Sequence, residues 1–230
     1  MTNESMTEKI LCVLSTSLTE ETTGRELMRL SRSEGQWLER DEVEEDVQWR
    51  QIIPYIVMTS SNAMGASTVF AYRRLSGSGE SRLIDQWSVG IGGHVEEQDS
   101  SRGSPIIDCI YREIAEELKV PKGYKIDVAP EPVGILLLDD TPVDMVHVGL
   151  VFAGEIYSSS ILAVPGAPIR TDKTLEVYES NEPDKIQGEM LTSAELHTLR
   201  DSGDRVFETW SNHVIGMLKN DRVEPEEWTT

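Results

Sequence analysis

The chain has 230 residues, of which 41 are acidic and 21 are basic, so its formal charge at pH 7 is −20. This length is typical of one large domain, or of one domain with an extension. A charge this negative repels phosphate backbones, and no basic stripe reverses it, so we expect no long nucleic acid as a partner. Hydrophobic residues make up 38% of the sequence, which is enough to build a core.

The sequence contains no recognisable targeting or membrane segment. Glu4 and Glu8 precede the first short apolar run, which lacks the basic leader of a secretory signal. No stretch approaches the roughly 20 apolar residues needed to cross a bilayer. The two cysteines, Cys12 and Cys109, are far apart, which favours buried thiols in a reducing compartment. We therefore predict a cytoplasmic protein that has no membrane partner.

The first 50 residues differ in character from the rest. A short apolar run predicts a strand over residues 9–14. The stretch that follows, residues 19–45, is polar and acidic and has only weak helical spacing. We interpret residues 1–50 as an N-terminal extension packed on the domain.

Strand-forming sequence begins at Gln51. β-Branched and aromatic runs are separated by Gly, Ser, Asn and Pro, and the last third of the chain has helical spacing. The predicted strands cover residues 52–58, 68–72, 87–91, 133–138 and 145–156, and the later helices cover residues 193–200 and 204–218. We interpret residues 51–218 as the main domain and residues 219–230 as a charged C-terminal tail.

A helix is predicted between the third and fourth of these strands. Ser104 is a suitable cap, Pro105 suits the first helical position, and the apolar spacing continues to Leu118 before Pro121 and Gly123. The order of strands, one helix, more strands and then helices predicts an α/β (α+β) domain. We expect a mixed sheet with helices on both sides.

Three carboxylates are close together on this predicted helix. Glu113, Glu116 and Glu117 stand at positions i, i+3 and i+4, so they share a strip beside the apolar stripe, with Glu117 at its edge. Like charges at a partly buried edge repel one another and lose hydration. A hard divalent cation with oxygen ligands would relieve both costs. Arg112 lies one turn before Glu116, where it can orient a carboxylate.

A glycine pair precedes the helix. Gly92 and Gly93 follow a predicted strand and are followed directly by His94. Because glycine has no side chain, this backbone can approach a ligand closely.

Together, these residues resemble the signature of the Nudix hydrolases, G-x5-E-x7-R-E-U-x-E-E-x-G-U, in which U is aliphatic. Gly93 takes the place of the first glycine, and the helix supplies the R-E and E-E pairs, as Arg112–Glu113 and Glu116–Glu117. The chain is also similar to a branch of predicted Nudix-type phosphoesterases through residues 51–55, 87–94, 146–149 and 208–211. The resemblance implies the Nudix-type mixed β-sheet sandwiched between helices.

The resemblance also implies an activity and a cofactor. It implies a hydrolase that depends on Mg²⁺ or Mn²⁺ and cleaves a diphosphate bond in a nucleoside diphosphate linked to another group. Glu116, Glu117 and the Gly92 carbonyl oxygen would ligate metal. Glu113 would ligate a second ion or help to activate water, with Arg112 as its neighbour in the catalytic group.

Several residues are candidates for the substrate side of the site. The resemblance places Arg74 on a substrate phosphate, and we add Arg82, Gly93 and His94 as further substrate-binding candidates. Trp210 is interpreted as a core anchor of the C-terminal helix. The expected partner is a small molecule, and self-association into a homodimer is left open.

The sequence departs from the signature in the loop before the helix. Counted from Gly93, the first glutamate is replaced by Asp99, and five additional residues separate Asp99 from Arg112. We expect residues 98–103 to form an exposed loop that leaves the metal site unchanged. The acid that pairs with Arg112 stays open among Glu96, Glu97 and Asp99. Lys119 replaces the late glycine.

Three other functions remain to be distinguished from hydrolysis. The first is a Nudix-fold sensor that binds a nucleotide or sugar phosphate without turnover, which the intact glutamates argue against. The second is an isomerase of prenyl diphosphates on the same fold, for which Cys12 and Cys109 are poorly placed. The third is an acidic interaction protein without a site.

Overall fold

The computed structural model describes residues 8–61, 67–75, 81–101, 103–120, 122–158, 179–180 and 186–218. Within these residues the chain forms a mixed sheet of ten strands, a separate two-stranded ribbon and helices on both faces of the large sheet. The predicted α+β class, a mixed sheet between helices, is therefore confirmed. Within the same residues, none of the helices is long and apolar enough to span a bilayer.

The elements follow one another in the predicted alternation. The strands are β1 (Lys9–Leu14), β2 (Gln36–Glu39), β3 (Trp49–Ser61), β4 (Ser67–Arg74), β5 (Trp87–Ser88), β6 (Gly90–Gly92), β7 (Leu118–Lys119), β8 (Tyr124–Val128), β9 (Gly134–Leu136), β10 (His147–Ser158), β11 (Glu179–Ser180) and β12 (Ile186–Leu191). The helices are α1 (Gly24–Ser33), α2 (Arg40–Val43), α3 (Pro105–Glu117), α4 (Ser193–Ser202) and α5 (Thr209–Met217).

Strand β3 is the central element of the sheet. One of its edges pairs in parallel with β10, so that Gln51 lies beside His147 and Tyr55 beside Val151. Its other edge pairs antiparallel with three strands in turn, first β1, then β6 and then β4. Residues from the N-terminal region and from both halves of the domain therefore meet along one strand.

The alternating side chains of β3 serve two cores. Ile52 and Ile56 pack on one face in a core that includes Ile110 of α3. Tyr55 and Val57 point to the opposite face, where α4 and α5 supply the packing. This alternation, which buries both faces of β3, explains its nearly continuous apolar sequence.

The N-terminal region is hydrogen-bonded into the same sheet. Strand β1 covers residues 9–14, as predicted, and lies between β2 and β3. The acidic stretch that follows contains α1, whose first turn is held by a reciprocal capping box between Thr23 and Glu26. The division into extension, domain and tail stays a prediction, and residues 1–7 and 219–230 lie outside the described part.

Several elements differ from the sequence-based prediction, among them β2, β7, β11 and β12, which were not predicted as strands. Strand β8 was not predicted, because its alternation of exposed and half-buried residues contains no apolar run. Helix α5 begins at Thr209 and not at residue 204. The preceding residues are extended, because the Trp87 amide donates to the Val206 carbonyl and the Glu208 amide to the Trp87 carbonyl.

The buried Arg50 fixes the connection between β9 and β10. Its Nη1 atom donates to the carbonyl oxygens of Leu138, Asp144 and His147, at 2.9, 2.5 and 3.2 Å. Its Nη2 atom contacts Asp139 Oδ1 at 2.5 Å. Because a guanidinium presents five donors in a fixed plane, this one side chain holds the whole connection in position.

We expect Arg50→Met to lower the free energy of unfolding by about 3 kcal/mol, because three carbonyl oxygens lose their donor. Urea unfolding followed by fluorescence measures the difference. The matched control is Arg32→Met, an exposed arginine on α1, for which we expect a change within about 0.5 kcal/mol. Equal stability of the two variants would show that Arg50 does not hold the connection.

Candidate active site

The three glutamates lie on α3 with different degrees of burial. Glu113 is 8% exposed, Glu116 is exposed and Glu117 is intermediate. Ile110 and Ile114 anchor the helix in the core below them. The expectation that Glu117 marks the edge of the apolar stripe is therefore incomplete, because Glu113 is the most buried of the three.

Gly93 makes the burial of Glu113 possible. A Cβ atom at Gly93 would overlap the Glu113 carboxylate, so any other residue at this position would displace one of the two. The glycine therefore brings the backbone at the end of β6 against a carboxylate on α3.

Arg112 pairs with Asp99, which resolves the alternative left open by the sequence. Its Nε atom contacts Asp99 Oδ1 at 2.9 Å, and its Nη2 atom contacts Oδ2 at 3.1 Å. Glu96 is a weaker second partner at 3.4 Å, and Glu97 is exposed. A bidentate pair of this kind fixes the plane of the guanidinium.

The same guanidinium reaches the helix and the glycine loop. Its Nη1 atom donates to Glu113 Oε1 at 2.6 Å and to Glu116 Oε2 at 3.4 Å. Its Nη2 atom donates to the His94 carbonyl oxygen at 2.9 Å. Arg112 therefore orients the Glu113 carboxylate and ties the glycine loop to α3.

The expectation of an exposed loop over residues 98–103 is wrong at Asp99. Residues 97–101 form a turn of 3₁₀ helix, and Asp99 is 5% exposed. Asp99 also accepts a hydrogen bond from the Glu96 amide at 2.9 Å. The additional residues thus deliver the buried partner of Arg112, while Gln98 and Ser100 face solvent.

Burial and like charge determine the protonation of Glu113. Burial raises the pKa of Glu113 to about 7, Arg112 opposes this shift, and the charges of Glu116 and Glu117 add to it. No three of the described His, Cys, Asp and Glu side chains converge closely enough to hold a metal ion as they stand. The donor set nevertheless fits a hard divalent cation, because it consists of carboxylate oxygens whose repulsion a cation would relieve.

A cavity of about 310 Å³ adjoins the glycine loop. It is bounded by the first half of β3, the glycine loop, the connection held by Arg50, the start of α5 and residues 82–86. The lining residues are Arg40, Ile53, Tyr55, Arg74, Arg82, Leu83, Gln86, Gly92, Gly93, His94, Thr141, Val143, Asp144, His147, Glu208, Thr209 and Trp210. None of the three glutamates is in this wall, whereas both glycines of the loop are.

Three arginines line the cavity. Arg74 and Arg82 were singled out from the sequence, and Arg40 was not. The Arg74 guanidinium lies 5.5 Å from the centroid of the Tyr72 ring, and its Nη2 atom is 3.2 Å from the Tyr72 hydroxyl. Glu117 is close enough to Tyr72 to contribute to its raised pKa, for which burial is the main cause. The charges of Arg74 and Glu117 therefore shift the pKa of Tyr72 in opposite directions.

Trp210 packs against the core, as interpreted from the sequence, and it also lines the cavity. Its Nε1 atom donates to Asp144 Oδ1 at 2.8 Å, and its ring meets the Tyr55 ring edge-on with centroids 5.6 Å apart. A Cβ atom at Gly149 would come within 2.8 Å of the indole, so this glycine makes room for it. The indole is thus fixed in one orientation beside the cavity.

A buried hydrogen-bond network fixes the start of α5. The Tyr55 hydroxyl is 2.8 Å from both Glu208 Oε1 and Ser211 Oγ. Ser211 Oγ also donates to Glu208 at 2.9 Å and accepts from the Val89 amide at 2.9 Å. The carboxylate of Glu208 therefore forms hydrogen bonds within the fold, and these link β3 to the start of α5.

His94 and His147 form a pair of imidazoles at the cavity wall. The Val143 carbonyl accepts from His147 Nδ1 at 2.7 Å, so a neutral His147 carries its lone pair on Nε2. His94 Nε2 lies 3.3 Å from that atom and 2.7 Å from Gln51 Oε1, and it must therefore donate. Burial, followed by the charges of Arg40, His147 and Arg112, lowers the pKa of His94 to about 3.

Sequence reasoning missed the cavity residues that depend on pairing between distant segments. Arg40 and Asp144 lie in stretches without a motif, and tertiary contacts bring them to the cavity that Trp210 borders. The likeness of residues 208–211 to a Nudix branch was a signal for the start of α5, but it did not indicate which side chains face the cavity. The roles of Arg82, Gly93 and His94 toward a substrate stay predictions.

We expect Asp99→Asn to lower the free energy of unfolding by about 2 kcal/mol, because the buried Arg112 loses its bidentate anion. Chemical denaturation gives the value. The matched control is Glu97→Gln, which removes the same charge from an exposed position two residues away. A loss no larger than that of the control would mean that Glu96 and Glu113 suffice to hold Arg112.

His94 makes the stability of the protein sensitive to acid. Below pH 6.5 the unfolded chain takes up a proton at this histidine, whereas the folded protein does so only near pH 3, so stability falls as the pH falls. Relative to His94→Gln, the wild type should lose about 2 kcal/mol between pH 7 and pH 5. Unfolding at both pH values, with the exposed His213→Gln as control, measures this. Equal losses of stability between pH 7 and pH 5 in the wild type and in His94→Gln would contradict this prediction.

Comparisons with known proteins agree with this geometry. The chain is 30% identical over 184 residues to protein YmaB of Bacillus subtilis, a match that covers 79% of this chain and 77% of YmaB. No family model matches the chain.

Solved structures resemble this chain in fold. Tm1382, assigned to the Nudix hydrolases, shares the fold with a TM-score of 0.63 and 24% identity, over 91% of this chain and 97% of Tm1382. A Nudix hydrolase from Alicyclobacillus acidocaldarius gives a TM-score of 0.46 and 10% identity, over 73% and 90% of the two chains, which is too distant to add to the argument. The chain therefore belongs to the same family as YmaB, and it shares the fold of Tm1382, with the R-E and E-E pairs in place on α3.

Proposed function

We propose that this protein is a metal-dependent hydrolase that cleaves a diphosphate bond in a nucleoside diphosphate linked to another group. The observation that carries the proposal is the position of Glu113. Its carboxylate is pressed against Gly93 and held by Arg112, while the glycine loop also borders an arginine-lined cavity. A substrate in the cavity would reach the glutamates across backbone that carries no side chains.

Glu113, Glu116 and Glu117, with the Gly92 carbonyl oxygen, are the groups that would hold Mg²⁺ or Mn²⁺. When bound, such an ion neutralises phosphate charge and lowers the pKa of a water molecule. Arg112 keeps Glu113 in one orientation by a contact of 2.6 Å. We favour Glu113 as a ligand over Glu113 as a base, because it shares its helix strip with the other two carboxylates.

The arginines of the cavity provide the attraction that the chain as a whole lacks. A protein with a formal charge of −20 repels an anionic substrate at long range. The guanidinium of Arg74 would bind a phosphate and offset charge that develops on it. The guanidinium of Arg82 would add a second cation to the same wall.

Trp210 provides a surface for the nucleoside. Its indole is oriented by Asp144 and Tyr55 and borders the cavity. Every nucleobase has a flat π face that stacks on an aromatic ring. The proposed substrate therefore places its base against Trp210 and its diphosphate toward Arg74.

The described geometry does not favour an isomerase that depends on a cysteine. Cys109 Sγ lies 3.4 Å from the His94 carbonyl oxygen and is absent from the cavity wall, and burial raises its pKa above the ordinary range. Cys12 is also buried, with its pKa raised to about 12 by burial. Thiols of this kind are poor nucleophiles, and they suit the reducing cytoplasm that we propose as the location.

We expect Glu116→Gln combined with Glu117→Gln to abolish the release of nucleoside monophosphate, because the proposed metal site loses two charged ligands. A panel of nucleoside diphosphate derivatives, with and without Mg²⁺ or Mn²⁺, measures this. The variant should fold, and its free energy of unfolding should be unchanged or slightly higher, because the metal-free protein loses the repulsion between these carboxylates.

The matched control combines Glu20→Gln with Glu21→Gln, which removes the same charge from an exposed turn. Full activity in the Glu116 and Glu117 variant would overturn the proposal. Binding of nucleotides to the wild type without any turnover would instead support the sensor.

A further inference from the structure

Arg40 is an unexpected member of the cavity wall. It begins α2, within the first 50 residues, and its side chain is 36% exposed. The neighbouring segment that bears it is otherwise acidic, with Asp41, Glu42 and Glu44 following directly. Surface charge alone does not explain why an arginine from this acidic segment lines the cavity.

Arg40 is held in place by two carboxylates and one backbone contact. Its Nη1 atom contacts Glu8 Oε2 at 3.1 Å, its Nε atom contacts Glu44 Oε2 at 3.4 Å, and its amide donates to the Glu8 carbonyl oxygen at 2.9 Å. Its Nη2 atom has no partner among the described residues. The side chain is therefore oriented in advance and keeps donors available for a ligand.

Arg40 and Arg74 lie on different sides of the glycine loop. Residues 87–96 run along the cavity, and β4 pairs with the first of them, at Trp87 and Ser88. The N-terminal region pairs with the last of them, where Ile10 bridges Glu96 and the Leu11 amide donates to the Val95 carbonyl. The cavity wall thus has guanidinium groups at two separate places.

The acids of the cavity wall have hydrogen-bond partners within the fold. Asp144 accepts hydrogen bonds from Trp210 and Thr141. Glu208 accepts from Tyr55 and Ser211. Both carboxylates keep their negative charge, but neutral donors hold them in place, and the arginines supply the cationic donors of the wall.

We propose that Arg40 binds a second anionic group of the substrate, separate from the diphosphate near Arg74. This inference rests on the proposed function and specifies its substrate class as a nucleoside diphosphate derivative that carries a further phosphate on one of its sugars. Arg40 determines specificity and takes no part in bond cleavage. Residues 8–43 are then part of the substrate site.

The test compares substrates that differ by one phosphate. The two pairs are NADH with NADPH, and dephospho-coenzyme A with coenzyme A. We expect the wild type to prefer the phosphorylated member of at least one pair by about tenfold in kcat/KM, mostly through KM. Arg40→Gln should remove this preference, and Arg40→Lys should restore part of it.

The matched control is Arg29→Gln, an exposed arginine on α1, which should keep the wild-type preference. A preference that survives in Arg40→Gln, or a wild type that prefers neither phosphorylated member, would overturn the inference while leaving the hydrolase proposal standing. Thermal unfolding of each variant shows whether it is folded.

A second measurement keeps the test independent of turnover. Calorimetry compares the binding of adenosine 5′-monophosphate with that of adenosine 2′,5′-bisphosphate and adenosine 3′,5′-bisphosphate. Tighter binding of a bisphosphate that Arg40→Gln abolishes supports the inference even if no substrate is hydrolysed, a result that would count against the proposed function alone. Equal affinities of the wild type for all three nucleotides would contradict it.

Discussion

The contact between Gly93 and Glu113 is the constraint on which the rest of the site depends. A carboxylate buried to 8% exposure is costly unless hydrogen bonds or cations compensate, and here Arg112 donates to it at 2.6 Å. Arg112 is in turn buried and needs an anion of its own, which Asp99 supplies in bidentate form. The buried Glu113 thus requires Arg112, and Arg112 in turn requires a buried acid in the loop before α3.

This chain of requirements also explains the path of residues 87–96. The segment pairs with β4 at its start, with β3 in its middle and with β1 at its end. It can do so because the second edge of β3 is shared among three partners and not occupied by one. The glycine loop is therefore held from both sides, which gives a backbone without side chains the rigidity that a catalytic site needs.

The sequence predicted what local spacing determines. Helix α3 was predicted because Pro105, the apolar stripe and the glutamates all lie within one continuous segment. The partner of Arg112 could not be chosen from spacing alone, because Glu96, Glu97 and Asp99 all lie in the same loop and differ only in burial. Trp210 illustrates the same limit, since its apolar character fits the core against which it packs, and spacing does not show that the indole also borders the cavity.

The distribution of charged side chains connects the fold to the proposed function. A protein that repels anions at a distance can still bind them if its cationic side chains are concentrated in one concave site whose acids are held in hydrogen bonds within the fold. Asp144 and Glu208 are used in this way, by an indole and by a hydroxyl pair, so the negative charge of the wall serves to position Trp210 and α5. The acidity of the chain therefore narrows the substrates it can hold, because an anion is attracted only where the arginines of the cavity can reach it.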